Sequence, residues 1–292
     1  MEPTFFSFKS QEKSGHQAVG AVGFRHPGSM FSGSLLHDFE LLVLVVCEEM
    51  DSSLVQIEHC LSGALQYQMR YIGRNELLQW VVSGEHPDIV HCFLQGEVIW
   101  DVGGKVTELR KELTRFGGGM RERRKLKEFA GFLRTYVEAK HYAHEQDFMD
   151  AYYCVLQSLK HYARIELIDE GIVPGDRVWE QAQSLNTVVR KLFDELTDSK
   201  ETLEQRVELV LLACEFSVMS RMEDCCSPLL RILGSRKEAW SIQELLELPE
   251  LGCIREELPM MIRKLVYRSL VKQSAVISGD ASVCGREIRY WA

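Results

Sequence analysis

The feature that most constrains the fold is the apolar run Leu41–Val46, which follows directly after Asp38-Phe39-Glu40. A run of this length with several β-branched residues predicts a β-strand. Side chains alternate along a strand, so Asp38 and Glu40 are expected on one face, roughly 7 Å apart. Two adjacent carboxylates repel each other unless a cation neutralises them, and Mg²⁺ commonly takes one or two carboxylates together with substrate phosphates. The pair therefore predicts either a Mg²⁺ site facing a cleft or a solvated acidic start to the strand.

Two further segments accompany this strand. Ala18–Phe24 reads as a strand that leads through a Gly- and Ser-rich connection to Asp38. These segments resemble the core of the polymerase-β-like nucleotidyltransferase superfamily, and residues 96–104 are similar to the strand and turn that close the catalytic domain in its small members. The whole chain is similar to the nucleotidyltransferase-like proteins of Gram-positive bacteria. This resemblance implies an α+β fold with a nucleotidyltransferase-like mixed sheet and helices.

The resemblance also implies an activity and a set of site residues. The activity would be Mg²⁺-dependent transfer of a nucleoside monophosphate from an NTP to an acceptor that the sequence does not identify. Asp38 and Glu40 would be the catalytic residues and the metal ligands. Small residues let backbone N–H groups approach phosphate oxygens, so the triphosphate would lie against Gly28, Ser29, Gly33 and Ser34.

The sequence departs from the superfamily pattern at two points. The residue after Gly23 at the strand end is Phe24, where the pattern has a small or hydroxyl residue. A third carboxylate is expected on a neighbouring strand, but the candidate strand 64–72 carries only Gln and Arg as polar residues, which leaves Asp101 as the alternative acid. A working transferase and a non-catalytic regulator, one that binds a nucleotide or a protein partner, therefore both remain open.

Breaks in pattern divide the chain into three predicted parts: a nucleotidyltransferase-like domain (1–116), a helical bundle (120–200) and a winged-helix-like module (204–292). The run Gly117-Gly118-Gly119 predicts a hinge or flexible turn between the first two parts, because ordering three glycines costs much entropy. Residues 105–128 hold nine Lys or Arg and four Glu. That excess predicts either a solvated linker face or a positive wall beside a phosphate-bearing substrate.

The last third shows the order of helices and strands expected for a winged helix. Ser241-Ile242-Gln243-Glu244 is a capping box, a helix is predicted over 255–270, and Ser278-Gly279-Asp280 predicts the turn of a hairpin. Residues 255–292 contain seven basic and four acidic residues. Winged helices bind nucleic acids or dock proteins, so a nucleic acid or a protein is the predicted partner of this part.

Composition sets the outer limits. The 292 residues carry a net charge of −9, with 46% hydrophobic and 26% charged residues, as in soluble globular proteins. This charge argues against general nucleic-acid coating but allows a local basic site. No apolar run reaches the length of a membrane span, and nine irregularly spaced cysteines predict reduced thiols. We therefore expect a cytoplasmic protein with no membrane partner, and the resemblance to proteins of Gram-positive bacteria implies that it is bacterial.

Overall fold

The computed structural model describes residues 17–25, 39–50, 56–183, 185, 187–277 and 286–292. It divides into two compact units, residues 1–117 and residues 118–292. Each unit is described by itself.

The first unit is built on a five-stranded mixed sheet, which confirms the predicted fold class. Its strand order is β3-β4-β2-β1-β5, with β2 parallel to β4 and the other neighbours antiparallel. The central strand β2 is buried along its whole length because every one of its residues is apolar. The strands are β1 (Ala18–Arg25), β2 (Leu41–Cys47), β3 (Ile57–Ser62), β4 (Leu65–Gly73) and β5 (Glu97–Asp101).

Three helices, α1 (Arg74–Ser83), α2 (Pro87–Gln95) and α3 (Lys105–Arg115), follow the strands of this unit. Helix α3 packs directly on the backbone of β1: a Cβ added at Gly20 would clash with the Val106 side chain. Helix α1 ends where Gly84 adopts a left-handed conformation at φ 77°, which glycine adopts without strain.

The second unit begins with the long antiparallel helices α4 (Gly118–His144) and α5 (Phe148–Asp169). Helix α4 starts at Gly118, so two of the three glycines predicted to form a hinge belong to its first turn and Gly117 alone precedes the helix. Inside the pair, the Thr135 and Ser158 hydroxyls lie 2.8 Å apart. The helices α6 (Val178–Gln183), α7 (Val188–Asp198) and α8 (Leu203–Ser217) complete this part of the unit.

Short elements and a small sheet close the second unit. Its three strands are antiparallel in the order β6-β8-β7. The capping box is confirmed, because the Ser241 hydroxyl accepts from Glu244 N–H at 3.1 Å and Ser241 N–H donates to the Glu244 carboxylate at 2.7 Å. The elements are α9 (Met222–Cys225), α10 (Ser227–Leu233), β6 (Trp240–Ser241), α11 (Ile242–Leu246), α12 (Leu258–Tyr267), β7 (Lys272–Ile277) and β8 (Arg286–Trp291), with 3₁₀ turns at Met219–Arg221 and Pro249–Ile254.

One apolar core runs through the second unit, from Leu126 in α4 to Val271 before β7. The predicted boundary at residues 200–204 lies in the α7–α8 connection, and two separate domains there remain a prediction. The predicted hairpin turn Ser278-Gly279-Asp280 lies outside the described residues. Within the part of the chain that the structure describes, no helix has the length and apolar character needed to cross a membrane.

Candidate functional site

The candidate site begins at Glu40, which lies in a bend one residue before β2 and is exposed. The preceding Phe39 is half-buried, and its ring centroid lies 4.6 Å from that of His59 on the edge strand β3. This contact attaches the bend to the sheet. The Glu40 carboxylate makes no hydrogen bond or ion pair with any residue in the described ranges.

The other predicted ligand residues all belong to residues 26–38, outside the described ranges. Their roles at the start of β2 therefore stay predictions. They are the second carboxylate and the four small residues expected at the triphosphate: Asp38, Gly28, Ser29, Gly33 and Ser34.

The neighbouring strand β4 was the predicted place for a third carboxylate. It pairs in parallel with β2, and Leu41 is in register with Tyr67, so Gln66 lies level with the bend that holds Glu40. The side chains that β4 offers on that face are Gln66, Gln68 and Arg70, and no acid occurs in Leu65–Gly73. The prediction that this strand pairs within the core sheet is confirmed. That no carboxylate comes within metal-ligating reach of Asp38 stays a prediction, because Asp38 lies outside the described residues.

Asp101, the alternative third acid, is already bound to α3. Its Oδ1 accepts from Val106 N–H at 2.9 Å, and its Oδ2 accepts from the Thr107 N–H at 3.0 Å and hydroxyl at 2.7 Å. Burial acts to raise the pKa of Asp101, but these hydrogen bonds outweigh it and hold the pKa below its usual range. The carboxylate satisfies the first N–H groups of the helix, which is a structural role.

The sheet register also separates Asp101 from Glu40. Gly20 of β1 pairs with Val46 on one side and with Asp101 on the other. Asp101 is thus level with the end of β2, whereas Glu40 precedes its start. At about 3.3 Å per strand residue, the two acids are roughly 20 Å apart along the strand direction. Asp101 therefore lies too far from Glu40 to share one metal ion with it.

Phe24 is a packing residue. It pairs with Leu42 across the sheet, and its ring meets the His91 ring of α2 edge-on at 6.0 Å between centroids. An aromatic ring wedged between sheet and helix has no hydroxyl to offer a phosphate.

Most of the basic residues predicted to form a positive wall hold the structure together. Arg110 donates at 2.8 Å to the carbonyls of Phe93 and Gly96 at the end of α2. Arg121 donates to a backbone carbonyl at the end of α5, that of Ile168. Other basic side chains of this segment pair with acids: Lys105 with Glu48, Lys125 with Asp169 and Asp224, and Lys127 with Glu257. These bonds engage the basic side chains within the protein, which is neither of the two predicted roles and argues against a substrate-binding wall.

Sequence patterns did not single out an ion cluster between α4 and α5. Glu128 is 3% exposed and bonds Arg124 at 2.7 Å and the His161 ring at 2.7 Å, with Arg164 at 3.5 Å. Burial acts to raise the pKa of Glu128, but the three basic groups, Arg124 foremost, outweigh it and lower the pKa to about 2. The available signal was only the four-residue spacing of Arg124 and Glu128 within the highly charged stretch 121–128, a spacing that solvated helix faces also show.

Comparisons with known proteins agree with this architecture. A family model described as "Nucleotidyltransferase-like" matches residues 11–121, and one described as "YgxA-like substrate binding domain" matches residues 122–221. The uncharacterized protein YgxA of Bacillus subtilis (strain 168) is 30% identical over 261 residues, which cover 89% of this chain and 88% of that protein.

A solved structure extends the likeness to three dimensions. The crystal structure of a nucleotidyltransferase-like protein from Exiguobacterium sibiricum 255-15 superposes with a TM-score of 0.81 at 25% identity, covering 94% of this chain and 93% of that one. The fold and the sheet thus define a nucleotidyltransferase-like protein. The chain belongs to the YgxA-like family of nucleotidyltransferase-like proteins found in Gram-positive bacteria.

Proposed function

We propose that this protein binds an NTP together with Mg²⁺ at the start of β2, and that its transfer of a nucleoside monophosphate to an acceptor is weak or absent. The observation that carries the proposal is the exposed Glu40 carboxylate, which has no partner among the described residues and stands at the start of the central strand of a nucleotidyltransferase-like sheet.

The residue types at this end of the sheet fit a magnesium–triphosphate complex. Within the described residues no group of three or more His, Cys, Asp or Glu could hold a metal by itself. Mg²⁺ needs no such group, because it is commonly bound by one or two carboxylates with substrate phosphates and water. Glu40 and Asp38 would supply the carboxylates, and Gly28, Ser29, Gly33 and Ser34 would line the phosphates.

The chain's own contribution would be positioning and charge. Bound Mg²⁺ supplies neutralisation of the phosphate oxygens. Glu40 and Asp38 would orient the triphosphate, and backbone N–H groups of the small residues would donate to it. Phosphoryl transfer depends mostly on such positioning. Loss of a third acid therefore weakens transfer more than it weakens binding. The absence of an acid on β4 and the hydrogen bonds between Asp101 and α3 support weak transfer with retained nucleotide binding.

Nucleotide binding can be tested by thermal unfolding. Each of ATP, GTP, CTP and UTP is added with Mg²⁺, and at least one should raise Tm because a ligand of the folded state stabilises it. Asp38→Asn with Glu40→Gln should remove the Mg²⁺-dependent part of the rise. Glu97→Gln, a change at an exposed acid of the edge strand β5, should leave it intact. A rise that survives the double substitution, or no rise with any NTP, contradicts the assignment.

Catalysis is tested separately with radiolabelled NTPs and Mg²⁺ or Mn²⁺, with the protein itself and bulk bacterial RNA as candidate acceptors. We expect little or no incorporation. Robust labelling that Asp38→Asn abolishes would establish a working transferase and refute the degenerate assignment.

A second function, nucleic-acid binding, is favoured by the charge on α12 and β7. Residues 258–277 contain no Asp or Glu, in a chain of net charge −9. The Tyr267 side chain is 82% exposed, and Lys264 lies 5.9 Å from its ring. An exposed aromatic ring among cations suits a nucleic acid, since phosphates pair with the cations and bases stack on the ring. The basic residues of this patch are Arg263, Lys264, Arg268 and Lys272.

The element order supports assigning this part to a winged helix. It runs helix α10, strand β6, helices α11 and α12, then the antiparallel pair β7 and β8, with β6 paired to β8. In that assignment α12 is the recognition helix. Its buried face, Leu258, Met261, Ile262 and Leu265, packs inward and leaves the basic face outside.

The measurement is fluorescence anisotropy with labelled duplex DNA, single-stranded DNA and single-stranded RNA at several salt concentrations. Affinity should fall with salt, and Arg263→Gln with Arg268→Gln should reduce the slope of log K against log salt by about 1.4 to 1.8, or 0.7 to 0.9 per lost phosphate contact. Arg177→Gln, at an arginine 83% exposed elsewhere in the unit, is the control. Equal binding by the variant, or none by the wild type, would leave a protein partner as the better assignment.

A further inference from the structure

The strongest unassigned feature is the half-buried ion cluster between α4 and α5. Around the one carboxylate of Glu128 stand the guanidinium groups of Arg124 and Arg164 and the imidazole of His161. In the described part of the chain, Glu128 is the acid within ion-pair distance of Arg164. Both guanidinium groups lie against this one carboxylate, and a buried charge without full compensation is unfavourable.

Arg164 is the residue of the cluster whose guanidinium N–H donors lack close acceptors within the described part of the chain. Its nearest carboxylate oxygen is 3.5 Å away, longer than a normal charge-assisted hydrogen bond. Its Nε is buried and has no hydrogen-bond partner among the described residues. A buried N–H donor without a partner is uncommon in folded proteins and often marks a missing ligand or water. The Arg164 guanidinium therefore offers an anion a positive charge and an unused N–H donor.

The position of the His161 ring depends on the lack of a side chain at Gly131. The His161 ring lies against α4 at Gly131, where an added Cβ would come within 2.5 Å of Cε1 and 2.7 Å of Nε2. Only glycine leaves room for the ring at that place. Glu128 then fixes the ring through Nδ1 at 2.7 Å. Such an arrangement holds the imidazole at one position beside the guanidinium groups.

Solvent can reach the cluster. The side chains of His161 and Arg164 are 22% and 19% exposed, whereas Arg124 and Glu128 are 3% exposed. Glu128 and Arg124 thus form the floor, and His161 and Arg164 form the accessible rim. An anion could enter at the rim without unfolding the helices.

We infer that this cluster is a binding site for a phosphate group, with Arg164 as the principal donor, Arg124 as the buried counter-charge and His161 at the rim. A guanidinium matches phosphate geometry with two parallel N–H groups. All of these residues lie within residues 122–221, the part that matches a substrate binding domain. The cluster would bind phosphate whether or not the nucleotide site proposed at β2 is occupied. Its phosphate comes either free or as part of a phosphomonoester.

Thermal unfolding of the full chain provides the test, with sodium phosphate or ribose 5-phosphate compared with sodium chloride at equal ionic strength and without metal. We expect one or both to raise Tm above the chloride value. A rise with phosphate alone identifies the free ion as sufficient, and a rise with ribose 5-phosphate alone identifies a phosphomonoester. Equal Tm values in all three salts would overturn the inference without any variant.

Variants assign the effect to the cluster. Arg164→Gln should weaken phosphate binding, measured by calorimetry, about tenfold or more, as expected for a lost charge-assisted bond. His161→Asn should weaken it less, and it serves if Arg164→Gln does not fold. Arg177→Gln, at an exposed arginine of the same unit, should leave the affinity unchanged. Unchanged phosphate affinity in Arg164→Gln or, in its place, His161→Asn would refute the assignment.

Discussion

Replacement of Glu128 by Gln should show how strongly the buried cluster holds α4 to α5. The change keeps the shape of the side chain and removes its charge, so Arg124 and Arg164 lose their shared carboxylate. The folded pKa of Glu128 is about 2, against an ordinary value of 4.5. At 1.36 kcal/mol per pKa unit, the charged state stabilises the fold by about 3 kcal/mol. Removing one partner of a buried ion pair costs about 3–5 kcal/mol, so the two routes agree.

The same substitution should show a defined pH dependence. The folded pKa lies below the unfolded one, so the contribution is complete above about pH 4.5 and is lost as pH falls toward about pH 2. At pH 3.5 the free-energy gap between wild type and Glu128→Gln should be smaller than at pH 7 by about 1 kcal/mol. Urea unfolding followed by ellipticity at 222 nm measures it, because the second unit holds most of the described helices.

A matched control lies on the same helix. Glu138 is exposed and has no ion pair among the described residues. Glu138→Gln should change the free energy of unfolding by no more than about 0.5 kcal/mol at either pH. If Glu128→Gln costs no more than this control, or if its cost is the same at both pH values, the cluster does not stabilise the fold as argued.

Three further substitutions test local structure. Asp101→Ala removes the acceptor for the first N–H groups of α3 and should lower the stability of the first unit by about 1 kcal/mol in urea unfolding. The NTP-dependent Tm shifts should remain, and their loss would show that Asp101 contributes to nucleotide binding. Gly131→Ala forces the His161 ring away from α4 and should cost about 1–3 kcal/mol, with a lower Tm as the readout; an unchanged Tm would show that the ring moves freely. Ser241→Ala removes half of the capping box and should cost about 1 kcal/mol, and an effect near zero would show that the cap contributes nothing to the unit.

Elements with strong local signals are predictable from the sequence. The all-apolar run gives β2, and Pro87 at the first turn marks the start of α2. The capping box gives the start of α11. In each case the deciding interactions lie within a few residues of one another, so periodicity and turn chemistry suffice.

Features that depend on distant partners were not predictable in the same way. The edge strand β3 is absent from the predicted elements because its residues are mostly exposed and its pattern is weak. The long helix α4 incorporates Gly118 and Gly119 although glycine disfavours helices, since packing of the whole helix outweighs the cost at its first turn. The Glu128 cluster requires knowing that His161 faces α4.

The candidate site likewise contains one feature that the local sequence predicts and one that depends on distant partners. That Glu40 stands beside the central strand follows from its position in the sequence. That Asp101 is unsuitable as a metal ligand follows only from the register of β1 with both neighbours and from the bonds to Thr107. A carboxylate at the end of a strand followed by a helix is equally consistent with a metal ligand and a helix cap until its partners are known.

The parallel pairing of β2 with β4 also determines the order in which the sheet can assemble. Strands β3 and β4 are joined by the two residues Gly63 and Ala64, with Gly63 at a φ of 62° that suits glycine. Such a hairpin forms within microseconds. Pairing of Leu41 with Tyr67, 26 positions later in the chain, requires closing a much longer loop. Until that happens, the entirely apolar β2 lacks its β4 neighbour, and an unpaired apolar edge of this kind is the part of a folding chain most exposed to aggregation.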